Sequence, residues 1–379
     1  MVVLTTTIGQ PAGSRASDGS GPPRRVRIAE EGDRLAGRTT YPQGYHGGMA
    51  DRSLAHLPVT LFSAVMGLGG TALAWRRAAR VWELPEWPFL TFLALASVAF
   101  VVVAVAYVAK WVRHPQAARA ELRHPVKMAF APTITIAVLI LATAYAEIAP
   151  TLATVLWWVG AVGHLLATVL VLTAWAGRGD IGASQITPAW FIPVVGNIVT
   201  PLAAGSVGSV ELAWVAFGVG VLFWVALLPL VLERVLIHAE PLPAGLLPTL
   251  AIFVAPPAVA LLSWEVLTGR VDDPFGRVLH AAVLAFVAVL VAQAGRLHRI
   301  PFALPYWAYT FPLAAAAVAT TAMAGARPGW GYDLVAGALL ALVTALALYV
   351  LALTLRAAVR GQICVPEEAP RPAPATMAP

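Results

Sequence analysis

PFLTFLALASVAFVVVAVAYVA, residues Pro88 to Ala109, runs for 22 residues without a Lys, Arg, Asp or Glu. A helix rises about 1.5 Å per residue and the hydrocarbon core of a bilayer is about 30 Å thick, so such a run is long enough to span it. Working outward, the same signature recurs at Leu54–Trp75, Met128–Ala146, Ile148–Gly177, Ile181–Val210, Leu212–Leu232, Pro241–Trp264, Val278–Gly295, Ile300–Ala326 and Leu334–Leu355. The spacing predicts ten transmembrane helices.

Composition agrees. Of 379 residues, 59% are hydrophobic and 12% charged, whereas soluble domains carry about 25% charged residues. Lipid offers backbone amides no partners, so spans are helices or a closed barrel. Continuous apolar runs, rather than alternation over about 10 residues, exclude the barrel. Residues 1–52 are rich in Gly, Arg, Ser and Pro, lack an apolar run, and read as a disordered basic tail. Residues 53–360 form the membrane domain, and 361–379 read as a second disordered tail.

Lys and Arg are retained on the cytoplasmic side. With the N-terminus inside, the outside loops hold six of the 25 cations, Arg76, Arg77, Arg80, Arg270, Arg277 and Arg327. Both termini are therefore expected in the cytoplasm and the chain in the cytoplasmic membrane. The net charge of +6 could suggest nucleic acid, but the cations cluster beside spans, where topology and anionic lipid explain them. No nucleic-acid partner is expected. Cys364 has no partner for a disulfide or a metal pair.

Taken two at a time, the ten spans make five hairpins, and interior prolines favour the first member of each. First members carry Pro58; Pro132; Pro193 and Pro201; Pro248, Pro256 and Pro257; and Pro305 and Pro312. Second members carry one clearly internal proline, Pro229. A proline removes an intrahelical hydrogen bond, and broken backbone at membrane depth is tolerated where protein or water surrounds it. Five kinked inner helices around a central path, with five straighter helices outside, are predicted. Gly67, Gly69, Gly70, Gly196 and Gly205 on first members permit close packing.

Chemistry-bearing residues are sparse. Glu147, Glu211 and Glu265 fall at span ends, where a solvated or capping role is expected. His164 lies near the middle of the fourth span, a depth at which ionisable groups are functional candidates; on an outer helix it reads as a neutral interhelical hydrogen-bonding group. His56 and His280 lie near span ends. Asn197, Thr133 and Thr135 could bond a permeating solute or a neighbouring helix. Paired intramembrane carboxylates, metal-ligand clusters and phosphate loops do not occur, so no enzyme, cofactor or metal is expected.

LPVTLFSAVMGLGG (Leu57–Gly70), HPVKMAFAP (His124–Pro132), WFIPVVGN (Trp190–Asn197), LPTLAIFVAPPAV (Leu247–Val259) and WAYTFPLAA (Trp307–Ala315) resemble the tellurite-resistance/dicarboxylate transporter family, which includes bacterial TehA and the plant slow anion channels. The resemblance spans roughly residues 54 to 360. It implies ten helices as five hairpins about a pseudo-fivefold pore, odd helices inner and kinked, and a homotrimer. It also implies that a ninth-span phenylalanine, here Phe311, gates the pore. Pro58, Pro132, Thr133, Pro193, Asn197, Pro248, Pro256, Thr310 and Pro312 are then pore-lining or kink candidates. The inner spans contain no fixed cation, so selection would fall to backbone dipoles, helix N-termini and hydroxyls such as Thr310. Small inorganic or organic anions and the bilayer are the expected partners. The alternative is a secondary carrier or exporter of C4-dicarboxylate, sulfite or tellurite-related anions, with or without proton coupling. A non-conducting scaffold whose tail binds a partner or lipid is a further alternative.

Overall fold

Ten long helices and one short connector organise the chain. They appear in a computed structural model that describes residues 53–179, 181–237, 242–297 and 302–366. They are α1 (Phe62–Trp82), α2 (Trp87–Arg113), the connector α3 (Pro115–Arg123), α4 (Lys127–Tyr145), α5 (Pro150–Ala176), α6 (Pro188–Val207), α7 (Val210–Leu236), α8 (Ala244–Thr268), α9 (Pro274–Ala292), α10 (Leu304–Ala326) and α11 (Trp330–Val359). Nine of these are long and apolar enough to cross a membrane among the described residues. The basic tail expected over 1–52 lies wholly outside the described residues, as does most of 361–379.

The exception is α1, and it corrects the sequence reading. The charge-free window Leu54–Trp75 enters as two short 3₁₀ turns, Leu54–His56 and Val59–Leu61, and the α-helix begins only at Phe62. It then runs on through Arg76, Arg77 and Arg80 to Trp82. These cations, expected in a loop, are helical residues, because Glu147 and Glu265 neutralise charges that would otherwise end the span.

Burial alternates along the chain. Of the first members, α4 is 72% buried and α6, α8 and α10 are each 78% buried, whereas α2, α5, α7, α9 and α11 lie between 22% and 33%. The second members present Val101, Val105, Leu166, Leu222, Val278 and Leu334 outward, an apolar surface suited to a lipid or protein neighbour rather than to water. The two members of each pair pack on one another. The inner members also close on one another: α1 packs on α4, α4 on α6, α6 on α8, α8 on α10, and α10 on α1.

The prolines divide along the same line, with a difference from expectation. Pro88, Pro150 and Pro274 open outer helices, where first-turn N–H groups have no intrahelical acceptor and a proline loses nothing. Inner members are 3₁₀ segments that convert to α-helix. The α-helical part of α4 starts at Thr133 after Pro132, that of α8 at Ala255 before Pro256, and that of α10 at Thr310 with Pro312 in its first turn. In α6, Pro193 lies in a short α piece and Pro201 in the 3₁₀ stretch Gly196–Ala203; Pro248 lies within the 3₁₀ stretch Ala244–Val254. The break is thus a change of helix type. It is tied off by hydroxyls that donate three residues back: Ser63 to Thr60 O, Thr133 to Phe130 O and Thr310 to Trp307 O.

Inner and outer helices are stitched by tryptophans. Trp75 donates to Thr344, Trp157 to Thr200 O and Trp307 to Thr354. At the end where α1 begins, a buried ion pair fixes the entry. Lys110 Nζ lies 2.7 Å from Glu121 Oε2 and donates to Leu57 O, while Glu121 Oε1 accepts the Val59 N–H at 2.8 Å. Ile363 and Cys364 pack against the neighbouring apolar cluster.

Candidate functional site

Two cavities lie among the five inner helices, and Phe311 lines both. The first, about 70 Å³, is enclosed at the level of the 3₁₀-to-α junctions by residues such as Ser63, Met66, Thr133, Ile136, Val195, Pro256, Ala308 and Pro312. The second, about 230 Å³, lies further along, among Gly70, Ile140, Leu202, Val259, Leu262 and Ala315, with Arg76, Arg77, Arg80, Glu147 and Glu265 on its lining. Phe311 is partly exposed, unlike its buried neighbours Thr310 and Pro312. Gly70 leaves the space that its ring occupies.

Of the residues singled out in the sequence, Thr133, Pro256, Phe311 and Pro312 line the first cavity, and Glu147 and Glu265 the second. Pro58, Pro132, Pro193, Asn197, Pro248 and Thr310 line neither. The hydroxyls also differ from expectation as donors. Thr133 and Thr310 spend their hydrogens on Phe130 O and Trp307 O, so neither has an O–H left for a solute.

Asn197 is likewise committed, its Nδ2 donating to Thr168 Oγ1 at 2.8 Å and to Val194 O at 2.9 Å. His164 is fully buried against the Gly196 backbone. The Thr135 hydroxyl donates to Pro132 O, so it accepts from His164 Nδ1–H at 2.7 Å. That assigns the tautomer and leaves Nε2 without a partner. His280 pairs with Thr320, joining α9 to α10. These groups bond helix to helix, as polar groups in membranes commonly do. Glu211 sits in the first turn of α7, beside the Ser209 cap, where a carboxylate suits the helix dipole.

The charges around the second cavity were not found as a site from sequence. Their signal was present: Arg76, Arg77 and Arg80 follow an apolar run with the small-residue face Gly67–Gly70 on the same helix. Arg76 is buried; its Nη1 donates to Ala144 O at 2.9 Å, its Nη2 pairs with Glu147, and the guanidinium stands 4.9 Å from the centre of the Phe89 ring. Arg80 pairs with the same carboxylate. Arg77 Nη2 meets Glu265 Oε1 at 2.5 Å, an ion pair across α1 and α8. Partial burial raises the Glu147 carboxyl, but hydrogen bonds from Arg80 and Arg76 outweigh it and hold the group below its ordinary value.

Comparison with known proteins completes the picture. Residues 56–355 match the SLAC1 family, described as voltage-dependent anion channels. The chain belongs to this family. Among curated relatives, an uncharacterized transporter of Methanocaldococcus jannaschii is 28% identical over 280 residues, 66% of this chain and 80% of the relative. The tellurite resistance protein TehA homolog of Haemophilus influenzae is 24% identical over 268 residues, 70% and 81% of the two chains. The guard cell S-type anion channel SLAC1 of Arabidopsis thaliana is 26% identical over 290 residues, 73% of this chain but 51% of the plant protein. Like other SLAC1-family chains, this is a polytopic membrane protein of an anion channel and transporter family, and not an enzyme.

Proposed function

We propose that this SLAC1-family member carries small anions passively through a path along the axis of its five inner helices, closed in this conformation by Phe311. The carrying observation is that a single partly exposed aromatic ring borders both cavities, next to Pro312 at the start of an α-helical segment. A phenyl ring fills a narrow uncharged constriction, and an apolar constriction also resists wetting. The closed ring of inner contacts and the repeated 3₁₀-to-α entry support a pseudo-fivefold arrangement of hairpins.

Phe311→Ala opens the constriction. In planar bilayers containing the purified full chain, it should raise anion conductance by more than about tenfold, with unchanged yield and elution volume. Unchanged conductance in a folded variant removes the gate. Ohmic currents support a channel; saturating, pH-dependent flux supports the carrier reading. Weakly hydrated monovalent anions pass best, because the first cavity offers no free hydroxyl donor to replace a tight hydration shell.

A homotrimer in the cytoplasmic membrane with both termini inside is part of this reading. Its mass in detergent, and protease access to each terminus in sealed vesicles, test those two points.

A further inference from the structure

The second cavity brings three guanidinium groups and two carboxylates to the far side of Phe311. Among the described residues no other charged side chain lines it, so this lining carries one excess positive charge. The three arginines are not equivalent. Arg76 is held by Ala144 O, Glu147 and the Phe89 ring, and Arg80 shares Glu147. Arg77 has one fixed partner, Glu265, and its Nε–H is buried without any acceptor. An unsatisfied buried donor on a cation is costly, and because the Arg77 side chain as a whole is 30% exposed, a turn of it would bring this donor to a small anion in the cavity. The flat edge formed by Nε and Nη2, where Nη2 now holds Glu265, is the one that can present two donors to a planar oxoanion once the carboxylate is displaced.

We propose that Arg77 is an anion-binding residue of this vestibule, holding a monovalent anion of the nitrate or halide class beside Phe311, with Glu265 as the tethered carboxylate against which that anion competes. The proposal rests on the reading of the two cavities as the anion path. Charge sets the class: one excess positive charge balances one negative charge, so a dianion such as sulfate is not neutralised. The competition gives opposite signs for two substitutions. Removing the guanidinium abolishes the site, whereas neutralising Glu265 frees the edge formed by Nε and Nη2 and strengthens binding.

The test needs a readout that does not depend on conduction. The unfolding temperature of the purified full chain in detergent is followed while sodium nitrate, chloride or sulfate replaces gluconate at constant ionic strength. Nitrate and chloride should raise it saturably in the wild type and in Phe311→Ala, and sulfate should not. Arg77→Gln should lose the shift, Arg77→Lys keep part of it, and Glu265→Gln reach it at lower anion concentration. In a Phe311→Ala background, Arg77→Gln should likewise lose the nitrate shift. A nitrate shift that persists in Arg77→Gln overturns the proposal. If Arg77→Gln does not fold, Glu265→Gln decides: half-saturation at an unchanged or higher nitrate concentration overturns it. A shift that depends on Arg77, in a chain where Phe311→Ala does not conduct, keeps the site and removes the pore reading.

Discussion

The backbone of Gly70 lies against the ring of Phe311: a Cβ atom at Gly70 would stand 3.2 Å from Phe311 Cδ2 and 3.1 Å from Ala314 Cβ. The glycine on α1 therefore sets the position of an aromatic side chain on α10. Because Phe311 borders open space in both cavities, its ring can yield by the few tenths of an ångström that a methyl group demands. Ala314 Cβ, fully buried, can give way only if α1 and α10 separate slightly, so Gly70→Ala is expected to fold at reduced stability and to change conductance. Gly67→Ala is expected to lose folded yield, because its methyl meets Thr310, which is anchored by its bond to Trp307 O. Gel filtration and bilayer currents on the pair separate the two effects.

Lys110 and Glu121 form a buried pair, at 3% and 8% side-chain exposure, that also holds the Leu57–Val59 entry to α1. Lys110→Met strands a buried carboxylate and should cost about 3–5 kcal/mol. Adding Glu121→Gln removes the stranded charge and should recover much of that loss. Unfolding in detergent measures both variants.

Glu147 is held ionised by Arg76 and Arg80. Its folded-state pKa is depressed, so its stabilising contribution is present above the ordinary carboxylate value and is lost as pH falls through the depressed one. Protonation also leaves Arg76 and Arg80 uncompensated beside Arg77 and Glu265. In Phe311→Ala, anion conductance should rise at acid pH while thermal stability falls, and Glu147→Gln should show the acid-like conductance at neutral pH. A flat pH profile that is unchanged by Glu147→Gln would contradict this.

His164 bonds α5 to α4 through Thr135 and packs on Gly196 of α6. His164→Leu should lower the unfolding temperature without altering the preference among anions, because the imidazole lines neither cavity. A change in the nitrate-to-chloride permeability ratio would give it a transport role instead.

Much of the architecture was legible in the chain. Charge-free runs locate the helices because charges are excluded from hydrocarbon, and Pro132, Pro193, Pro248, Pro256 and Pro312 mark the inner members, whose burial far exceeds that of their partners. What proline could not convey is that Pro132, Pro256 and Pro312 mark the change from 3₁₀ to α whereas Pro193 and Pro248 do not, since a missing N–H is compatible with either a kink or a first turn. The hydroxyls of Thr133 and Thr310 looked available because a sequence does not show which carbonyl a side chain reaches. Arg76, Arg77 and Arg80 looked like loop residues because their carboxylate partners, Glu147 and Glu265, are distant in sequence and adjacent only in the fold.

The junctions of the inner helices bear on how such a protein diverges. In the reading proposed above, main-chain placement where the chain passes from tight to wide helical winding shapes the passage around Phe311, and most of the other residues lining the first cavity are small or aliphatic. Relatives sharing only about a quarter of their residues, such as the plant and Haemophilus proteins, can then inherit the same bore while nearly every contact around it drifts. Exchanging one hairpin between distant relatives should accordingly disturb the passage less than moving a single proline by one turn.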